Sequence, residues 1–336
     1  MAQPPVPVLA GPLPAGTPVL VIGATGQVGR QVVAALLARG ATVRALLRDP
    51  EGADVPAGVA RVRGDLRDPA SLRAALRGAG AAFYVSPHEA DERALAAAVV
   101  AACEAERVRL VFVGVHVHAR SRWRAALLRV VFGRILPHYR GKIALARDVA
   151  RSPLRPVMLV PANFMQNDEV FAEEIRAGRF VTPLSDRGVN RVDLRDVGEA
   201  AARALLDGDV APGSYDVAGP RAVGGRESAA VWAEALGRPV AYLGDDDELM
   251  ARTFARYLDG QRLADWTASF RVLRRISMPT SRRELRTTRK LLGREPRSFE
   301  TYVHDTVAAW RAAGLLDGSP ATAPGAGASP PVGLTR

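Results

Sequence analysis

Cysteine is almost absent from the 336 residues: Cys103 stands alone, so no intrachain disulfide and no cysteine cage for a metal can form. A disulfide-stapled scaffold is excluded, and the usage fits a reducing cytoplasm. Long apolar runs are missing too. The best candidate, 94–103, is short and alanine-rich, well under the roughly 18 residues of a membrane-spanning helix. Lysine is nearly as scarce, for of 46 basic residues only Lys142 and Lys290 are lysines, and the net charge of +11 is carried by arginine. Hydrophobic residues at 48% and charged residues at 24% are ordinary globular usage, which argues against a wholly disordered, collagen-like or coiled-coil chain. The length exceeds the roughly 100–200 residues of one average domain, so one large α/β unit or two joined lobes is expected.

Residues 1–17 and 317–336 are rich in Pro, Gly and Ala and bury too little apolar surface to offset ordering entropy, so we read them as a disordered leader and tail. The leader has neither the basic start nor the continuous apolar stretch of a secretory signal. The positive charge is local. Residues 120–142 carry seven basic side chains and no acid, and 271–297 carry ten against two, which leaves a net of −4 for the rest of the chain. Such segments are either solvated arginine faces or surfaces that attract anions, such as a nucleotide or an acidic protein partner. No zinc-finger spacing, aromatic RNA-binding signature or helix-turn-helix accompanies them, so direct nucleic-acid binding is not expected. Residues 120–134 mix arginine with bulky apolar side chains, which suits a membrane-surface helix or, equally, a packed or capping helix.

Short β-branched runs alternate with Ala/Leu-rich stretches in the first half, the pattern of a parallel sheet covered on both faces. Strands are predicted at 18–22, 42–47, 60–63, 82–85, 108–113 and 157–160, and helices at 27–39, 71–77, 89–106 and 138–151. From about Phe164 the rhythm loosens into helices joined by brief extended pieces near 180–181, 214–217 and 240–243, with a closing helix at 298–310. The predicted fold class is α/β, a doubly wound parallel sheet over 18–163 and a smaller, mainly helical substrate lobe over 164–316. Later segments can return to the first sheet in such folds; 191–197 and the alanine-rich helix after it are the candidate.

The first strand runs into Gly23-Ala-Thr25-Gly26-Gln27-Val28-Gly29 and then a helix. In that context Gly23 permits the tight turn, Gly26 lets backbone N–H groups approach a pyrophosphate, and Gly29 allows close helix–strand packing. The helix N-terminus then faces the anion. At the end of the second strand Arg48 precedes Asp49 and Pro50. A guanidinium pairs bidentately with a 2′-phosphate, whereas Asp49 can serve merely to cap a turn, so NADP(H) is expected over NAD(H). Arg30 is a further candidate for a phosphate contact. His138 and Lys142 lie four apart and would share one helical face.

These segments resemble the NmrA-like family of atypical short-chain dehydrogenases/reductases. The likeness is carried by the glycine motif, Val43-Arg-Ala-Leu-Leu-Arg-Asp-Pro, Gly64-Asp-Leu-Arg-Asp-Pro-Ala-Ser-Leu, Phe83-Tyr-Val-Ser-Pro, Pro161-Ala-Asn-Phe-Met-Gln-Asn, Val192-Asp-Leu-Arg-Asp-Val and Tyr215-Asp-Val-Ala-Gly-Pro. It spans about residues 18–312. The resemblance implies that Asp65 and Leu66 flank adenine, that Val85 and Ser86 lie along the cofactor, and that Pro161, Asn163 and Phe164 neighbour the nicotinamide. It further implies that Lys142 hydrogen-bonds the nicotinamide ribose. Short-chain reductases usually place Tyr four residues before that lysine. Here the position is His138, a candidate proton donor, with Tyr139 one residue off register.

Other chemistry-bearing residues read as structural. Cys103 sits in an alanine-rich helix and is expected to be packed and inert. His116 and His118 share a strand face without an evident third ligand, so no metal is expected. His88 follows the fourth strand, and His304 reads as a helix-face residue. Asp193 and Asp196 introduce a helix and read as caps. Trp232, Trp266 and Phe270 would enclose a substrate or build core. The expected function is NADPH-dependent reduction of a quinone, enone or carbonyl in a small molecule by a cytoplasmic enzyme. The alternatives are a non-catalytic NADP(H) redox sensor acting through a protein partner, and a biosynthetic tailoring reductase or epimerase.

Overall fold

A computed structural model describes residues 11–87, 89, 91–115, 134 and 139–316. His88, His116, His118 and His138, and the basic stretch 120–133, lie outside the described residues.

The first half comprises β1 (Val19–Ile22), α1 (Gln27–Ala38), β2 (Val43–Leu47), β3 (Val59–Arg63), α2 (Pro69–Leu76), β4 (Ala81–Val85), α3 (Glu92–Glu106), β5 (Arg109–Val113), α4 (Tyr139–Ala150) and β6 (Val157–Pro161). The second comprises β7 (Asn163–Phe164), a 3-10 turn over Met165–Phe171, α5 (Ala172–Arg176), β8 (Arg179–Phe180), β9 (Val189–Val192), α6 (Leu194–Leu206) and β10 (Gly213–Val217). It continues with β11 (Ala222–Val223), α7 (Gly225–Leu236), β12 (Ala241–Tyr242), α8 (Asp247–Tyr257), α9 (Gly260–Arg275), α10 (Arg282–Leu292) and α11 (Phe299–Ala312). None of the described helices is long and apolar enough to cross a membrane.

The chain divides into two compact units. The first holds Met1–Pro161, Leu194–Val217 and Arg286–Arg294, and the second holds Ala162–Asp193, Ala218–Leu285 and Glu295–Arg336. In the first unit seven parallel strands run in the order β10-β6-β5-β4-β1-β2-β3. Helices cover both faces, so the inner strands are largely apolar rather than alternating, with Arg44 of β2 and Arg109 of β5 the charged exceptions, and every residue of β1 is buried. Strand order reverses between β1 and β4, and the crevice beyond their carboxyl ends is the usual ligand site of such sheets.

One face of the sheet packs Leu20, Ile22, Tyr84 and Phe112 against Leu72 of α2, Val99 of α3 and Leu145 of α4. On α6 the small Gly198 permits close approach to α1, since a β-carbon there would stand 2.4 Å from the Gln31 carbonyl oxygen. Of the segment expected to return to the first sheet, only the helix α6 from Leu194 joins the first unit, while Arg191 and Val192 lie in β9 of the second; β10 also returns, pairing in parallel with β6.

In the second unit β9 lies between β11 and β7 in a three-stranded sheet, and β12 pairs with β8. Its core gathers Phe171, Phe180, Trp232, Phe254, Phe270, Phe299 and Tyr302. Trp232 stacks on Trp310 with ring centroids 5.3 Å apart, and Trp266 meets Phe171 and Phe254 edge-on. Trp232 and Phe270 are therefore core, and Trp266 packs against it, rather than forming a substrate enclosure. Beneath them Arg191 and Asp168 form an ion pair at 2.7 Å with both side chains fully buried, and the Trp232 indole N–H points to the same carboxylate at 3.4 Å.

Candidate cofactor site

The strand β1 ends at Ile22, and the chain reverses through Gly23, whose φ of +84° is a left-handed conformation that favours glycine. The turn is closed by the Gly26 N–H donating to the Gly23 carbonyl at 3.1 Å, and Gly26 becomes the N-cap of α1. It brings no side chain to cap the helix. The first N–H groups of a helix have no intrahelical acceptors, so those of Gln27, Val28 and Gly29 form a cradle suited to an anion. A β-carbon at Gly26 would meet only the Gly23 carbonyl, at 3.4 Å, and would otherwise fill the open space in front of these N–H groups. The residues present therefore fit a dinucleotide pyrophosphate. Across the turn Val85, the last residue of β4, stands 3.1 Å from where a Gly23 β-carbon would be.

Arg48 follows β2 and is exposed, and its carbonyl accepts from the Arg63 guanidinium at 3.2 Å. The Asp49 carboxylate accepts from the Glu51 N–H at 3.2 Å, the turn-capping role open to it from sequence. Arg30 is tied down by the Thr25 carbonyl at 2.8 Å and Asp54 at 2.9 Å, so it braces the glycine turn. Asp65 shapes its own loop by accepting from the Arg67 N–H at 2.9 Å, while Leu66 packs on the edge of the core.

Beyond Val85 lies a polar cluster that no motif marks. The Ser86 hydroxyl lies 3.3 Å from both Glu92 Oε2 and the Pro87 carbonyl, which share its one proton, and Lys142 Nζ donates to the same Glu92 oxygen at 2.8 Å. The Lys142 and Glu92 side chains are only 15% and 12% exposed, so this is an internal pair rather than a surface one. The nearby Tyr84 hydroxyl is buried without a hydrogen-bond partner among the described residues. Burial first, and then the carboxylates of Glu92, Glu89 and Asp91, push this phenol up to about 12 against the opposing effect of Ser86.

Of the remaining candidates, Pro161 ends β6 in the first unit, whereas Asn163 and Phe164 form β7 at the start of the second. Asn163 Oδ1 is buried with no hydrogen-bond partner among the described residues, and the Phe164 carbonyl accepts from Arg191 at 3.4 Å. Asp193 accepts from the Gln166 amide at 2.9 Å, and Asp196 pairs with Arg294 at 2.7 Å. Cys103 is fully buried, which lifts its thiol to about 12, and His304 is exposed on α11. Sequence reading missed Glu92 and Tyr84. A lone acid in the first turn of a helix reads as a partner of the helix dipole, and a strand aromatic reads as core.

A parallel sheet with a strand, a glycine turn and a helix at its switch point defines a Rossmann-type nucleotide-binding fold. The chain belongs to the NmrA-like family, whose model matches residues 16–302. It is 31% identical over 299 residues to the NAD(P)H azoreductase of Xenophilus azovorans, covering 88% of this chain and all of that one. It is 36% identical over 228 residues to the (4-alkanoyl-5-oxo-2,5-dihydrofuran-3-yl)methyl phosphate reductase of Streptomyces griseus, covering 67% of this chain and 76% of the relative. Among solved structures it resembles NmrA, a negative transcriptional regulator in complex with NADP, with a TM-score of 0.69, 16% identity and coverage of 90% and 98%.

Proposed function

We propose that this chain is an NAD(P)H-dependent reductase of small organic molecules, with NADP(H) preferred and a quinone, enone or carbonyl as the group reduced. One observation carries the reading: the end of β4 joins the glycine turn to a part-buried cation. Val85 lies against Gly23, and Ser86 shares with Lys142 a single oxygen of Glu92. A nucleotide cradle alone binds. A cradle with a held ammonium beside it can also orient a cofactor and stabilise charge that develops on a substrate oxygen.

When bound, the nicotinamide supplies the hydride. The N–H groups of Gln27, Val28 and Gly29 would hold the pyrophosphate, and Arg48 would pair with the 2′-phosphate. Asp65 and Leu66 would serve the adenine, and Val85 and Ser86 the body of the cofactor. Lys142 would donate to the nicotinamide ribose and His138 would supply a proton, with Pro161, Asn163 and Phe164 as the proposed nicotinamide residues. Two relatives named as reductases support the reductase class of this reading. The lone buried thiol suits a cytoplasmic protein.

The test follows NADPH absorbance with a panel of quinones, azo dyes, enones and ketones. Turnover that vanishes in Lys142→Ala and His138→Ala proteins supports the reductase. The second reading is a redox sensor acting through a protein partner, favoured by the likeness to a transcriptional regulator. Saturable NADPH binding with no turnover across the panel would move the assignment there.

A further inference from the structure

We propose that Glu92 is a positioning residue that holds Lys142 and Ser86 in place for the cofactor. The proposal rests on the reading that these two side chains border the nucleotide. The two donors come from elements far apart in sequence, the end of β4 and the first turn of α4, and converge on one atom, Glu92 Oε2, at 3.3 and 2.8 Å. The other oxygen, Oε1, faces Gly141, where a β-carbon would come to 3.1 Å. Glycine beside Lys142 thus leaves room for the carboxylate.

Glu92 can take this role because its place in the first turn of α3 favours a negative charge whether or not lysine is present. Competing acids are otherwise engaged: Arg67 pairs with Glu89 and, at 3.0 Å, with Asp91. A lysine side chain has four rotatable carbons and would sample many positions if unheld. An ammonium has three donors, and Glu92 is its one hydrogen-bond partner among the described residues, so pairing fixes the nitrogen without exhausting its capacity to donate.

Composition offers a direct readout, because the chain has only two lysines. Full-length protein is treated with an acetyl N-hydroxysuccinimide ester, and acetylation of Lys142 is measured by mass spectrometry against exposed Lys290 as the internal reference. NADPH dissociation constants and melting temperatures are measured on the same proteins: wild type, Glu92→Gln, Glu92→Asp, Lys142→Met and the Glu92→Gln/Lys142→Met double variant. We expect Glu92→Gln to raise the Lys142:Lys290 labelling ratio several-fold and to weaken NADPH binding by about tenfold, the scale of one hydrogen bond to a charged group. Glu92→Asp restores part of both. The double variant binds NADPH no more weakly than Lys142→Met alone, since a residue acting through lysine has nothing left to position.

An unchanged labelling ratio in Glu92→Gln overturns the proposal, as do losses of affinity that multiply in the double variant. If Lys142→Met weakens NADPH binding and Glu92→Gln does not, the positioning role fails while the cofactor reading stands. If Lys142→Met leaves affinity unchanged, both fail together. Should Glu92→Gln not fold, Gly141→Ala crowds Oε1 without removing the carboxylate, and an unchanged labelling ratio there also refutes the role.

Discussion

A β-carbon built on Gly29 would stand 1.9 Å from the carbonyl oxygen of Gly23. Its next neighbours would be the Gly23 carbonyl carbon at 2.7 Å and the Ala24 α-carbon at 2.9 Å, so no side-chain rotation can relieve the clash. Gly29→Ala must therefore push α1 off β1. We expect a loss of about 1–3 kcal/mol of stability, the usual cost of forcing a methyl into a packed site, with NADPH binding abolished because the turn opens. Urea unfolding and a fluorescence titration check the two effects separately.

The Arg191–Asp168 pair offers the opposite experiment, removal rather than crowding. Both side chains are wholly buried, and Arg191 also sits 4.8 Å from the centre of the Phe299 ring. Asp168→Ala leaves a buried guanidinium uncompensated, which should cost about 3–5 kcal/mol. An Asp168→Leu/Arg191→Met double variant should recover most of that loss. A double variant as unstable as Asp168→Ala would show that packing, not charge, dominates.

For coenzyme preference the residue to test is Arg48. It is exposed, so its removal should not unsettle the fold. Arg48→Ala is expected to weaken NADPH binding by roughly tenfold or more while leaving NADH nearly unchanged, since a charge-assisted contact to phosphate is worth about 1.5–3 kcal/mol. Equal losses for both coenzymes would remove the 2′-phosphate from its role.

Alkaline stability follows from two buried protons. Burial raises the Cys103 thiol from 9.0 to about 12 and the Tyr84 phenol from 10.0 to about 12. The folded chain keeps these protons at pH values where the unfolded chain has lost them, so their contribution is fully present below pH 9 and declines as pH rises towards 12. Unfolding midpoints should fall across that window, and Cys103→Ala should flatten the fall by at most about 1.4 kcal/mol per pH unit. A slope identical in the variant would show that the thiol is not responsible.

Much of the first unit was legible because its signals are local. The strand at Val19–Ile22 is a continuous apolar run, that at Val43–Leu47 is apolar but for Arg44, and the Gly23–Gly29 spacing encodes backbone geometry directly. The Trp232 and Phe270 readings stayed open, because an aromatic side chain looks the same in sequence whether it lines a pocket or fills a core. Arg191 with Asp168, and Glu92 with Lys142, were invisible. Each pair joins residues 23 or 50 positions apart with no periodicity to announce it, and only the tertiary path of the chain decides which acid meets which base.

The chain passes between its two units at 161/162, 193/194, 217/218, 285/286 and 294/295. During synthesis, then, the parallel sheet cannot be completed when its first six strands have emerged. It waits for Val217 to supply its edge strand, and the unit waits for Arg294 to close on Asp196 and Glu199 at 2.7 and 2.5 Å. Vectorial, domain-by-domain folding is not open to such a chain, and neither unit can be cut out as a continuous fragment.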